Sequence, residues 1–154
     1  MDSSIEFCSD LTQFVMVYFN VNWIPPEGTR GRPLPLIRFT WSHAKFIYSF
    51  LESHAEFWEM LENSPSFVTR NEASFLRFAF LIKEDIKSVA YSTHNFLFFA
   101  TFISIMAAIA TKHGFLDAPT YAMVIIYDAI SFFQLRRAMS FSSSVKDSTT
   151  RRIL

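Results

Sequence analysis

Four histidines, one cysteine and fourteen acidic residues are the side chains of this 154-residue chain on which chemistry would have to rest. Their spacing decides what they can do together. His43 and His54 stand eleven positions apart, so on a helix they share a face but lie ~16 Å apart along it, too far to hold one metal ion. Cys8 is the single cysteine, which excludes an internal disulfide and any cysteine-based zinc or iron–sulfur site. The chain contains no H-E-x-x-H, E-x-x-H, G-x-S-x-G, P-loop or G-x-G-x-x-G pattern. Zincins, di-iron bundles, serine hydrolases and nucleotide-binding enzymes therefore lack their minimum parts, and no metal or cofactor is expected.

Two ionisable residues fall in unusual places, His94 near the start of a charge-free run and Asp128 within a second apolar stretch. The first run, Ser88 to Thr111 between Lys87 and Lys112, includes Phe96, Phe99, Phe102, Ile103, Ile105 and Ile109. At ~1.5 Å per residue, a helix of that length covers ~36 Å, enough for the ~30 Å hydrocarbon layer of a bilayer. This predicts a transmembrane helix; the competing reading is the buried helix of a soluble domain. If the second stretch also spans, Asp128 lies near the midplane, where a charged carboxylate costs ~2.5–3.5 kcal/mol and demands a partner. An antiparallel hairpin puts Thr101 or Ser104 at its depth. That makes Asp128 a hydrogen-bonded lock between helices or subunits, with a proton relay as the sharper alternative.

His94 enters the apolar run one turn after Tyr91, with Arg136 expected at the same face. The expectation is an interfacial hydrogen-bonding residue, with haem ligation as the alternative. Small membrane-anchor subunits of succinate dehydrogenases pair an intramembrane His with an Asp-Tyr dipeptide. Here Tyr127 and Asp128 stand in the reverse order without the surrounding Gly, Arg and Ser pattern, so no membership is drawn.

The elements that must position these residues read as mainly α. Leu11 to Ile24 is apolar and rich in Val, Tyr, Phe and Trp, compatible with a strand or a short packed helix. Pro25, Pro26, Gly28, Gly31, Pro33 and Pro35 form a connector that carries Arg30 and Arg32. Trp41 to Glu62 has helical period, with Ala44, Ile47, Leu51, Trp58 and Leu61 on one side. Thr69 and Glu72 match a capping box, and nothing in the pattern stops the next helix before Gly114. A long amphipathic helix continuous with the first transmembrane helix is the result. His113 and Gly114 cap it, Asp117 and Pro119 start another, and Thr120 to Leu135 forms the second arm of a hairpin, spanning or interfacial. The corresponding divisions are residues 1–35, an N-terminal segment and connector; 36–87, extramembrane amphipathic helices; 88–135, the transmembrane hairpin; and 136–154, a basic, Ser-rich tail.

Fourteen basic and fourteen acidic residues cancel, which gives no footprint for nucleic acid. Asp2, Glu6 and Asp10 precede the first basic residue, Arg30, so the start has neither secretory nor mitochondrial targeting character. Lys83, Lys87, Arg136 and Arg137 flank the two arms on one side, which by the positive-inside rule puts both termini in the cytoplasm or the mitochondrial matrix. Ala100, Ser104 and Ala108 form a small-xxx-small row for close helix packing, alongside Asp128. Aromatic residues make up 18% of the chain. Those at Phe46, Phe50, Phe57, Trp58, Phe75, Phe78 and Phe80 lie outside the hairpin and are expected to meet partner proteins.

The functional expectation is a non-catalytic accessory or assembly subunit of a large integral-membrane complex. A respiratory-chain complex or ATP synthase of the mitochondrial inner membrane leads. Arg30, Arg32, Arg136 and Arg137 would contact lipid headgroups, including anionic ones such as cardiolipin. The alternatives are a haem- or quinone-site anchor subunit using His94 and Asp128, and a membrane-shaping, lipid-binding hairpin.

Overall fold

A computed structural model describes residues 3–26, 39–64 and 69–153, with side chains described to residue 135. Among these residues the chain forms six α-helices and no strand: α1 (Ser3–Tyr18), α2 (Trp41–Ser53), α3 (Ala55–Asn63), α4 (Glu72–Lys87), α5 (Thr93–Lys112) and α6 (Ala118–Ile153). The mainly-α expectation holds, and the segment left open between strand and helix is helical up to Tyr18. Asn20, at φ 59°, turns the chain out of α1 while Val21 N–H donates to the Met16 carbonyl at 2.8 Å. That is the left-handed exit common at helix C-termini.

The expected continuous rod from Asn71 through the apolar run is not formed. α4 ends at Lys87, Ser88 bonds back to the Asp85 carbonyl at 2.7 Å, and Ser92 caps α5 by accepting from Asn95 N–H at 3.0 Å. Serine side chains at both edges satisfy the backbone groups that a helix break exposes. The break lets α4 fold back along α5, so that Phe75 meets Phe115 and Phe78 meets Phe102, with ring centroids 5.8 Å apart in both pairs. The stretch Trp41 to Glu62 is also divided. His54 has φ −121° and ψ 22°, and its Nδ1 lies 3.1 Å from the Phe50 carbonyl, while Ser53 Oγ donates to the Ser49 carbonyl at 2.7 Å. Side-chain bonds of this kind compete with the helical ladder. The start of α4 differs as well. Asn71, not Thr69, is its N-cap and accepts from Ser74 N–H at 2.9 Å. Thr69 is fully buried, and its hydroxyl lies 3.0 Å from His113 Nδ1.

The α5–α6 hairpin forms where expected. His113 is the C-cap of α5, Gly114 takes φ +109°, and Phe115 N–H donates to the Ala110 carbonyl at 3.0 Å. α1 lies antiparallel to α6, joined at one end by Ser4 and Gln134, with a shorter contact of 2.9 Å, and at the other by Trp23 Nε1 donating to Thr120 Oγ1 at 3.1 Å. α5 occupies the centre, touched by α1, α2, α3, α4 and α6. Buried residues from all six helices form one cluster. The amphipathic helices and the hairpin contribute to the same buried cluster.

α5 and the segment Ala118–Leu135 of α6 are each long and apolar enough to cross a membrane. Within the chain, 72% of the apolar window of α5 is buried. Its apolar side chains are largely covered by the protein's own helices.

Candidate functional site

The two residues singled out for chemistry do not come together. Asp128 Oδ2 is held by Lys87 Nζ at 2.8 Å and Lys83 Nζ at 3.0 Å, with the Asp128 side chain half-exposed. The expected partners do not reach it: Ser104 Oγ donates to the Ala100 carbonyl at 2.9 Å, and the fully buried Thr101 hydroxyl has no hydrogen-bond partner among the described residues. The carboxylate instead ties α4 to α6. Lys83 and Lys87 are one helical turn apart, a pair awaiting a carboxylate that sequence reading placed only as a membrane flank. His94 is exposed in the first turn of α5, its ring edge-on to Phe46 of α2 with centroids 5.0 Å apart.

The other histidines have structural roles. His43 Nδ1 accepts from Thr40 N–H at 3.1 Å, which fixes its acceptor nitrogen and caps α2. Its ring lies against Phe7 and Phe39, and burial lowers its pKa below the ordinary value. His113 bridges the end of α3 to the start of α4: Nε2 is 3.0 Å from the Glu62 carbonyl and Nδ1 is 3.0 Å from Thr69 Oγ1. Lys112 pairs with Glu62 beside it at 3.0 Å. Tyr18 donates to Glu52 at 3.0 Å; burial first, and the Glu52 carboxylate second, push its hydroxyl up to about 12. No group of three or more metal-ligating side chains occurs among the described residues.

Ala100, Ser104 and Ala108 are all fully buried within the chain, so their close-packing surface is used by its own helices. The aromatic residues expected at partner interfaces divide. Phe75 and Trp58 are buried, Phe46, Phe50 and Phe78 are half-buried around α5, and Phe57 and Phe80 are exposed. Arg30 and Arg32, and the side chains of Arg136 and Arg137, lie outside the described residues.

What the fold adds is a trough. α2 and α4 pack on α5 instead of on each other, and between them two adjoining cavities share Phe98. The cavity on the α2 side, about 530 Å³, is lined by Phe46, Phe50 and Phe98 with Lys45, His54 and His94. That on the α4 side, about 410 Å³, is lined by Ile82, Ile86, Val89, Phe98, Phe99 and Phe102, with Asp85 and Asn95 as polar members. Phe98 is the ridge between them, 46% exposed, and its ring packs on Phe50 at 4.7 Å. In the sequence Phe98 is one of several aromatic residues in the charge-free run between Lys87 and Lys112. Only the return of α4 along α5, a tertiary event, gives it this place. No protein-family model, curated protein or solved structure matches this chain.

Proposed function

We propose that the protein is non-catalytic and acts by holding an amphipathic helix of a partner protein in the trough between α2 and α4. The observation that carries this reading is the pair of cavities astride Phe98, floored by one helix and walled by two others. The α4-side one is lined mainly by apolar residues and the α2-side one by Phe46, Phe50 and Phe98 with Ser42, Ser49 and Ser53. A helix laid in such a groove presents apolar residues at i, i+3 or i+4, and i+7, which alternate pockets receive. The rims supply polarity of both signs. Lys45 and His94 stand on one side and Asp85 on the other, so the matching helix carries acidic residues toward α2 and a basic residue toward α4.

The broader expectation of an accessory subunit shares the central claim that the chain works by binding other proteins. Its finer placement, in a respiratory-chain complex or ATP synthase of the mitochondrial inner membrane, finds no support in the geometry and is not carried forward. A second reading, a hairpin that crosses the membrane, is favoured by the length of α5 and of Ala118–Leu135. It would bring the Lys83–Asp128–Lys87 cluster into hydrocarbon, at a cost for charged groups that the enclosed bundle avoids.

Display of a library of 20-residue helical peptides against the purified protein tests the trough. Selected peptides should show apolar residues at three- and four-residue spacing, and Phe98→Glu should abolish their binding while leaving the helical circular dichroism unchanged. Selection without helical period, or binding indifferent to Phe98→Glu, would remove the reading.

A further inference from the structure

The helix trough leaves one end of the bundle unexplained. This is the end where α1 and α2 begin, α4 gives way to α5, and α6 carries on beyond its neighbours. Tyr91, between α4 and α5, packs its ring on Phe133 of α6 at 5.2 Å. Gln134 bonds Ser4 at the start of α1, and Phe7, one turn along α1, holds Phe39 and His43 at the start of α2. These contacts bring Trp41, Val89, Tyr91 and Leu135 to one end of the molecule, where they are 81%, 45%, 51% and 64% exposed. Lys45, exposed, stands one turn from Trp41 on the same face of α2. Past Leu135, α6 remains helical to Ile153, and residues 136–154 contain Arg136, Arg137, Lys146, Arg151 and Arg152 against Asp147 alone.

The geometry points to a membrane-docking end: Trp41, Val89, Tyr91 and Leu135 settle at the headgroup level of an anionic lipid surface, and the basic continuation of α6 lies along that surface. Trp and Tyr favour the bilayer interface because an apolar ring and a polar edge are both accommodated there. Each Lys or Arg near an anionic leaflet adds ~1 kcal/mol, or about fivefold in binding, within a Debye length of the surface. One apolar contact or one basic cluster alone binds a membrane weakly, and the two together bind it durably. The acidic residues closest to this end on α4, Glu84 and Asp85, sit one turn back from its terminus, with Lys87 beside Glu84 at 3.9 Å. The site adjoins the trough, sharing Val89 and Lys45 with its lining, but Phe98, the ridge of the trough, takes no part in it.

Co-sedimentation of the full chain with phosphatidylcholine vesicles, with and without phosphatidylserine, tests the proposal. Binding should appear only with the anionic lipid, fall as salt is raised, and be reversed by alkaline carbonate, which does not extract a membrane-spanning helix. Trp41→Ala with Tyr91→Ala and Leu135→Ser should weaken it about tenfold or more, as should Arg136→Gln with Arg137→Gln. Trp41, Tyr91 and Leu135 are exposed, and circular dichroism reports whether the fold persists in each variant. Phe98→Glu should bind vesicles as the parent does, even if it also loses helical peptides, which separates failure of this site from failure of the trough. Equal binding to neutral vesicles, binding untouched by both sets of substitutions, resistance to carbonate, or no binding at all would each overturn the assignment.

Discussion

Lys83 and Lys87 reach the same carboxylate oxygen of Asp128, with side chains only 13% and 18% exposed. Two partly desolvated ammonium groups this close repel one another unless an anion sits between them, so the carboxylate's charge matters more than its hydrogen-bonding shape. A neutral amide of the same size is therefore a poor substitute, contrary to what a buried hydrogen-bonding aspartate would predict. Asp128→Asn should lower stability by about 1 kcal/mol; the half-exposure of Asp128 limits the loss to the upper range of solvent-screened pairs. A shift of the urea midpoint at neutral pH, smaller at high salt, is the measurement. An unchanged midpoint would mean that solvent alone satisfies both lysines.

At the scale of elements, helix ends written in local chemistry were legible and those decided by packing were not. His113, Gly114, Asp117 and Pro119 mark the α5–α6 turn in the sequence because a left-handed position and a proline start impose their conformation on any fold that contains them. A Cβ at Gly114 would meet nothing within 4 Å, so the cost of a side chain there is purely that of φ +109°. Gly114→Ala should destabilise by about 1 kcal/mol, seen as a lower melting temperature with unchanged helical content. A melting temperature equal to the parent's would show that the turn relaxes to negative φ without penalty. The break between α4 and α5 has no comparable mark. Serines at 88 and 92 are weak signals, and it is the burial of Phe75 and Ala79 that makes reversal more favourable than a straight rod. The register that sets Lys83 and Lys87 against Asp128, and the trough at Phe98, depend on that reversal, so neither was accessible from local pattern.

For the molecule as a whole, α5 is the central element, touched by the other five helices. Ile103, Ile105, Ile109 and the small residues between them are fully buried, and helices from both halves of the chain cover them. Amides of α5 should therefore exchange with solvent only on global unfolding, more slowly than those of α2 and α3. Hydrogen exchange of the purified chain in buffer without detergent checks this. If α5 exchanged as fast as α2, or if the chain stayed ordered only in detergent, the core would have to be completed by lipid or by another protein.

The pairing of Ser4 with Gln134 bridges 130 positions, and that span has a consequence for the protein's synthesis. α1 leaves the ribosome well before its partner α6, and α5 emerges between them with its apolar faces uncovered. For the time needed to translate α6, at ~5–20 residues per second, the nascent chain displays a stretch that membrane-targeting factors and chaperones both recognise. Whether the newborn chain is drawn toward a bilayer or closes into its bundle is a race between capture of α5 and arrival of α6, so slowing translation after codon 112 should favour capture.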